Sequence, residues 1–537
     1  MSQPIAADPG ARLPRQIPFI IGNEACERFS FYGMRNILVQ FLVSSVILAY
    51  LPEADREGAA KHVFHSFVIG VYFFPLLGGW LADRYFGKYN TVLWFSLVYC
   101  AGHACLALFE ASKTGFYTGL FLIALGSGGI KPLVVSFCGD QFDQSNKHLA
   151  KVVFDAFYWT INFGSFFASL LMPLFLRNFG PAIAFGIPGA LMFIATLIFW
   201  LGRKQYVRVL PTRGEDPDSF ANVSRTALFA RRGGQGRPGL LVAAAGMATA
   251  VLVMLCFAIG PSFWPEKFDF VISACIALGL LILLGGIGVS MQLDRARGLH
   301  SDAAVDSVRA VLRILIVFAL TTPFWAVFDQ KASTWVLQGR TMAMPEGLWW
   351  WPGWLVKEAG QMQALNPLLI MLLIPFNNLV LYPLLRRIGI EPTPLRRMGT
   401  GIALAGVASI MAGLIQLNLD DGAQTSLAWQ IAPYVVLTLG EVLLSATALE
   451  FAYSQASTSM KGVIMAFWYL AVTFGNLWVL LANVAQHHPS VVDGLAAAGY
   501  GQNAFFMFFF AGFAFLAAFG FAAYARTYPM QDNYRVA

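Results

Sequence analysis

The sequence predicts an all-α polytopic membrane protein with fourteen transmembrane helices. Three observations lead there. Of 537 residues, 57% are hydrophobic and only 12% charged, where soluble domains carry about 25%. The apolar residues gather into about fourteen runs, each long enough to cross a hydrocarbon core of roughly 30 Å. Lys and Arg collect in alternate loops, which is how membrane helices are oriented.

In order, the runs are 17–48, 62–82, 90–110, 115–138, 152–176, 182–202, 239–260, 270–292, 306–329, 362–385, 398–418, 428–450, 462–485 and 502–526. Residues 1–16 are polar and the next run is full length and charge-bearing, so no cleaved leader is expected. The interval 202–238 is polar and rich in Arg, Lys, Gly and Pro, which marks a linker. Three units follow: a six-helix bundle at 1–205, a linker with two extra helices at 206–305, and a second six-helix bundle at 306–537. Arg84, Lys88, Lys147, Arg203, Lys204, Arg295, Arg386, Arg397 and Arg526 all fall on one side. With an even span count both termini are expected to be cytoplasmic.

The composition also excludes functions. The net charge of +7 comes from loop bases that set topology, so nucleic-acid binding is not expected. Six cysteines show no CxxC spacing and seven histidines no HxxxH or HExxH, so neither a metal site nor a disulfide framework is expected. No GxxxxGK[ST] is present to cradle ATP phosphates. A membrane enzyme needs a nucleophile–base pair or metal cluster at depth, and no catalytic residue is assigned. A nutrient sensor would add a signalling domain, and no polar segment is large enough to fold one.

The chemistry concentrates in the first run. Glu24, Glu27, Arg28 and Arg35 lie where a membrane helix carries almost no charge. Each costs roughly 2.5–3.5 kcal/mol at a bilayer centre, so they must face partners or water. Glu24, Arg28, Phe31 and Arg35 fall at i, i+4, i+7 and i+11, one helical face, with Tyr32 beside it. The bland reading is a structural ion-pair cluster; the functional one is a binding or proton-relay stripe.

Later motifs repeat the pattern. GGWLADRYFGKYN (78–90) offers glycines for close helix approach and a basic turn, with Gly79, Asp83, Arg84 and Gly87 as its structural residues. His65 and Tyr72 are seven apart on one face; a lone His is more often a satisfied polar group than a relay. Lys131 sits inside a run beside Pro132 and a glycine cluster, where snorkelling is the ordinary alternative. Tyr158 and Asn162, Trp325 and Asp329, and Glu441 and Ser445 are each one turn apart. Glu450 and Tyr453 read as structural. Pro367 and Pro375 within one run predict a kinked helix.

Together these stretches resemble the proton-dependent oligopeptide transporter family of the major facilitator superfamily. The resemblance is carried by ExxERFSFYG (24–33), the loop at 78–88, GGIKP with GDQFD (128–143), FYWTINFGS (157–165), FWAVFDQ (324–330), NPLLI with PFNN (366–378) and GEVLLSATALEFAYSQA (440–456). It implies a proton-coupled symporter of di- and tripeptides in a bacterial inner membrane, acting as a monomer in the lipid bilayer, with protons as the coupling ion and no cofactor. It also implies roles. Glu24, Glu27, Arg28, His65 and Lys131 would serve proton coupling. Arg28, Arg35 and Lys131 would face the peptide carboxylate, and Glu441, helped by Asn162, its amino group. Tyr32, Tyr72, Tyr158, Trp325 and Ser445 would shape the pocket. Salt bridges Arg35–Asp329 and Lys131–Glu441 would close the outer gate. Phe31 departs from the family pattern, which often has a second tyrosine there. Asp329 departs too, where some members have Glu. The competing expectation is a family member carrying another small substrate such as nitrate; Glu441 argues against an anion-only site.

Overall fold

The computed structural model describes residues 13–142, 147–211, 217–231, 236–259, 269–455, 460–486, 489–499 and 501–529. Asp143 of the GDQFD motif, and the side chains of Glu450 and Tyr453, lie outside the described residues. The helices are α1 (Ile17–Ser44), α2 (Glu53–Leu81), α3 (Gly87–Leu108), α4 (Lys113–Gly139), α5 (Lys147–Phe179), α6 (Pro181–Leu201), α7 (Phe220–Phe229), α8 (Pro238–Ile259), α9 (Asp269–Gln292), α10 (Asp302–Gln330), α11 (Thr334–Arg340), α12 (Leu365–Phe376), α13 (Tyr382–Arg387), α14 (Pro394–Asp420), α15 (Ile431–Gln455), α16 (Lys461–Gln486), α17 (Pro489–Ala497) and α18 (Gln502–Thr527).

Among the described residues, twelve helical segments are long and apolar enough to cross a membrane. One of them, 55–108, runs through both α2 and α3, and α1 stands apart because of its charges. Separating the first and adding the second gives the fourteen rods read from the sequence.

Two apolar cores divide the chain. One draws mainly on α1–α6, with α3 against α4 and α6, α2 against α4, and α1 against α5 and α6. The other draws mainly on α10–α18, with α14 against α15 and α18, and α10 against α16. The halves meet where α2 packs on α16 and α5 on α12. The pair α8–α9 packs on itself, and α9 touches α2 and α16. Most of α8 is unburied, with Leu241 and Leu252 exposed.

Local chemistry sets the breaks. α2 ends in a π turn, 82–86, and Gly87 at φ 73° turns the chain into α3, a conformation that glycine alone adopts freely. Lys88 then pairs with Asp140 at 2.7 Å, tying the 78–90 loop to the end of α4. Gly78 makes the close approach expected of it: a Cβ there would lie 2.6 Å from the Gly128 carbonyl carbon on α4. Gly79, expected to share that task, faces open space. The two prolines expected to kink this helix take different positions. Pro367 lies in the first turn of α12, directly after the 3-10 turn 359–364, while Pro375 precedes the π turn 377–381 that separates α12 from α13.

Candidate functional site

Between the halves lies a cavity of about 310 Å³. The first half lines it from α1, α2, α4 and α5; the second from α10, α12, α15 and α16. Every residue expected to bind peptide is in its wall: Arg28, Tyr32, Arg35, Tyr72, Lys131, Tyr158, Asn162, Trp325, Glu441 and Ser445.

On α1 the one-face spacing holds. Glu24, Arg28, Phe31 and Arg35 all line the cavity. Arg28 Nε donates to Glu24 Oε1 at 2.6 Å and stands 3.0 Å from Glu27 Oε2. Glu27 is not in the cavity wall; it is fully buried behind Arg28, and apart from that ion pair neither carboxylate oxygen accepts a hydrogen bond among the described residues. One carboxylate therefore meets the cavity and the other backs the guanidinium. A buried pair of this kind is held by its geometry, and removing one partner strands a charge.

Lys131 reaches the same wall from α4. Its ammonium lies 3.4 Å from the Phe31 ring centroid and 5.0 Å from that of Tyr72. So Phe31, the departure from the tyrosine pattern, contributes a π face where a hydroxyl would have offered a hydrogen bond. The expected Lys131–Glu441 bridge is not formed. Glu441 Oε2 instead accepts from Asn366 Nδ2 at 2.6 Å, and Asn366 Oδ1 accepts from Lys331 at 2.8 Å. The second half thus brings its own cation to its own carboxylate, through an amide.

Lys331 was missed in the sequence, although it directly follows the FWAVFDQ motif, two residues after Asp329. On a continuous helix those positions point apart, so spacing argued against a shared site. They do point apart: Lys331 keeps helical dihedrals at the end of α10 and reaches Asn366, while Asp329 reaches Arg35, and the cavity is wide enough to be lined by both. Asn366 was also missed. An Asn-Pro pair reads as a helix start, and nothing in it marks a bridge.

The Arg35–Asp329 ion pair does form, across the halves. Asp329 also accepts from Asn476 on α16 at 2.6 Å. His65 is not in the cavity wall. It is fully buried beside this pair, its Nδ1 2.7 Å from Asn476 Oδ1 and its Nε2 3.0 Å from Ser333 Oγ. More contacts tie the halves at the end opposite the described N-terminus: Arg177 to Glu358 at 2.9 Å, Gln361 to the Leu170 carbonyl, Gln363 to the Asn36 carbonyl, and Lys61 to Asn503. No cluster of His, Cys, Asp and Glu suited to a metal occurs among the described residues.

Residues 89–493 match the model of the POT family. The chain is 31% identical over 422 residues to Peptide transporter 3 of Caenorhabditis elegans, covering 76% of this chain and 51% of that protein. It is 33% identical over 425 residues to Solute carrier family 15 member 2 of Danio rerio, covering 76% and 50%. The chain therefore spans about half the length of these relatives. Among solved structures, it resembles an auto-inhibited POT family peptide transporter at 64% identity and TM-score 0.91, covering 98% of this chain and 99% of that one. It resembles the POT family transporter PepTSo at 60% identity and TM-score 0.91, covering 98% and 100%.

Proposed function

The chain belongs to the POT family, and from that premise we propose that it is a symporter that moves di- and tripeptides into the cell with protons, by alternating access. The observation that carries the reading is the division of charge around one cavity. Arg28, Arg35 and Lys131 line it from the first half, and Glu441 from the second. A zwitterionic peptide carries a carboxylate at one end and an ammonium at the other. It can bridge these groups, replacing the Arg28–Glu24 contact at one end and the Asn366–Glu441 contact at the other. Both termini are then recognised, which limits length. Tyr32, Tyr72, Tyr158, Asn162, Trp325 and Ser445 form walls that ask little of the side chains, so selectivity rests on the backbone termini.

Proton coupling uses the same stripe. Protonating Glu24 frees Arg28 to take the peptide carboxylate; Glu27 behind it keeps the guanidinium in place. Arg35–Asp329 serves as the gate at the end opposite the termini, and a Lys131–Glu441 bridge as a second bolt that forms in another state of the cycle. His65 reports protonation to the gate. Gly79, Asp83, Arg84 and Gly87 act structurally in the 78–90 loop. The units 1–205 and 306–537 are the two moving halves, with 206–305 linking them. The protein acts as a monomer in a bacterial inner membrane, both termini cytoplasmic, without a cofactor and without catalytic residues.

A carrier of nitrate or a similar small anion has no use for the Glu441 carboxylate in its pocket. Uptake of labelled dipeptide and of nitrate into proteoliposomes, with and without an inward proton gradient, separates the two. Gradient-driven dipeptide accumulation, competed by unlabelled dipeptide and not by nitrate, is expected. Driven uptake of nitrate unaffected by dipeptide overturns the reading.

A further inference from the structure

Asn476 lies between a buried histidine and a buried carboxylate, and its own orientation can be read from its neighbours. One amide atom is 2.6 Å from Asp329 Oδ2 and 3.1 Å from the Val472 carbonyl oxygen. Both are acceptors, so this atom is the nitrogen, Nδ2, donating to each. The other atom is then Oδ1, which only accepts. It stands 2.7 Å from His65 Nδ1, so Nδ1 carries a hydrogen. A neutral His65 is therefore held in one tautomer, with its Nε2 lone pair toward the Ser333 hydroxyl at 3.0 Å.

We propose that Asn476 is the positioning residue through which protonation of His65 reaches the Arg35–Asp329 bridge. This rests on the proton-coupled reading above. The proton binds at Nε2, and the Ser333 hydroxyl turns from donor to acceptor. The Nδ1–H bond to Asn476 persists and strengthens as the ring becomes cationic. Charge drawn toward Oδ1 makes the Nδ2–H a better donor to Asp329, since bonds in such a chain polarise one another. Asp329 then shares its charge between Asn476 and Arg35, and the gate loosens.

The topology makes the arrangement useful. His65 and Arg35 belong to the first half; Ser333, Asp329 and Asn476 belong to the second. The ion pair and both histidine bonds all cross the line along which the halves part. The charges that act on His65 come from Lys61 one turn away on α2, Asp329 on α10 and Arg35 on α1. Lys131 on α4 stands seven residues further along α2, beside Tyr72. α9 adds Val271, Ile272 and Cys275 to the core it shares with α2, and α16 offers the amide. The amide's height is fixed by the preceding Gly475, where a Cβ would lie 2.9 Å from the Thr322 carbonyl oxygen on α10.

The test compares Asn476→Leu and Asn476→Asp with wild type, each also in a His65→Gln background. Gradient-driven dipeptide uptake and peptide counterflow are both measured in proteoliposomes across a range of pH. For Asn476→Leu, driven uptake should fall about tenfold, the order set by loss of its buried hydrogen bond to Asp329, with counterflow within about twofold. In the His65→Gln background the same substitution should add almost nothing. For Asn476→Asp, the introduced carboxyl can donate to Asp329 only when protonated, so the pH optimum of driven uptake should move by about one unit toward acid. Driven uptake and pH profile like wild type in both variants overturn the proposal, as do equal losses with and without His65. If Asn476→Leu does not fold, the direction of the Asn476→Asp shift decides alone. Failure of wild type itself to take up dipeptide against a gradient would overturn the transport reading, a result distinct from wild-type uptake that is indifferent to Asn476.

Discussion

Lys331 and Glu441 do not touch: the Asn366 amide stands between them, accepting from the ammonium at 2.8 Å and donating to the carboxylate at 2.6 Å. The carboxylate is thereby held ready without being locked in an ion pair that an incoming ammonium would have to break. Glu441→Gln should weaken binding of a free dipeptide by roughly 10- to 100-fold, the scale of a hydrogen bond to a charged group. An N-acetylated dipeptide, which has no ammonium to offer, should bind wild type and variant alike. Titration calorimetry with the two ligands measures both.

Arg35–Asp329 is the buried ion pair between the halves, and removing one partner of such a pair leaves a stranded charge worth about 3–5 kcal/mol. Asp329→Asn should therefore shift the protein toward states open at that end. Spin labels on the outer ends of α1 and α11 should report a longer distance in the variant. An unchanged distance distribution contradicts the gating role.

Gly78 permits α2 and α4 to touch at their backbones, since a Cβ there would lie 2.8 Å from Gly129 Cα. Gly78→Ala should lower stability by about 1–3 kcal/mol, the usual cost of overpacking. Gly79→Ala, which faces open space, should be nearly silent. Thermal unfolding in detergent compares the pair.

Helix α7 is docked by Asp218, whose carboxylate accepts from Ser301 at 2.6 Å and faces His300 Nδ1 at 3.0 Å. The hydrogen bonds from Ser301 and His300 hold that carboxyl below its ordinary range. A depressed acid stabilises its contact fully above the ordinary carboxylate pKa of about 4, and the contact is lost as pH falls through the lower folded value. Hydrogen exchange across 218–230 should be slow at neutral pH and accelerate in that acid window. Asp218→Asn should exchange faster at neutral pH, with a weaker acid response.

Much of this was legible in the chain, and the reasons differ by residue. Glu24, Arg28 and Arg35 could be placed because a helix is regular and their spacing is one face. Gly78 could be assigned a close approach, but its equivalence with Gly79 could not be broken without knowing which side α4 takes. Lys331 was hidden because it points away from Asp329 on the helix, and only the width of the cavity shows that it lines the same site. Asn366 and Asn476 were hidden because an asparagine in an apolar run shows no partner until the tertiary fold supplies one. The Lys131–Glu441 bridge was an expectation about pairing across the halves; the two residues share one cavity here and each has another partner.

Proton and peptide exchange with the same charged stripe in the proposed cycle. Its most direct test is paired: gradient-driven accumulation and peptide counterflow, both in proteoliposomes, for wild type, Glu24→Gln and Lys131→Ala. Wild type should accumulate dipeptide only with an inward proton gradient. Glu24→Gln should lose accumulation and keep counterflow, and Lys131→Ala should lose accumulation. Accumulation against a gradient by Glu24→Gln at the wild-type level would contradict the claim.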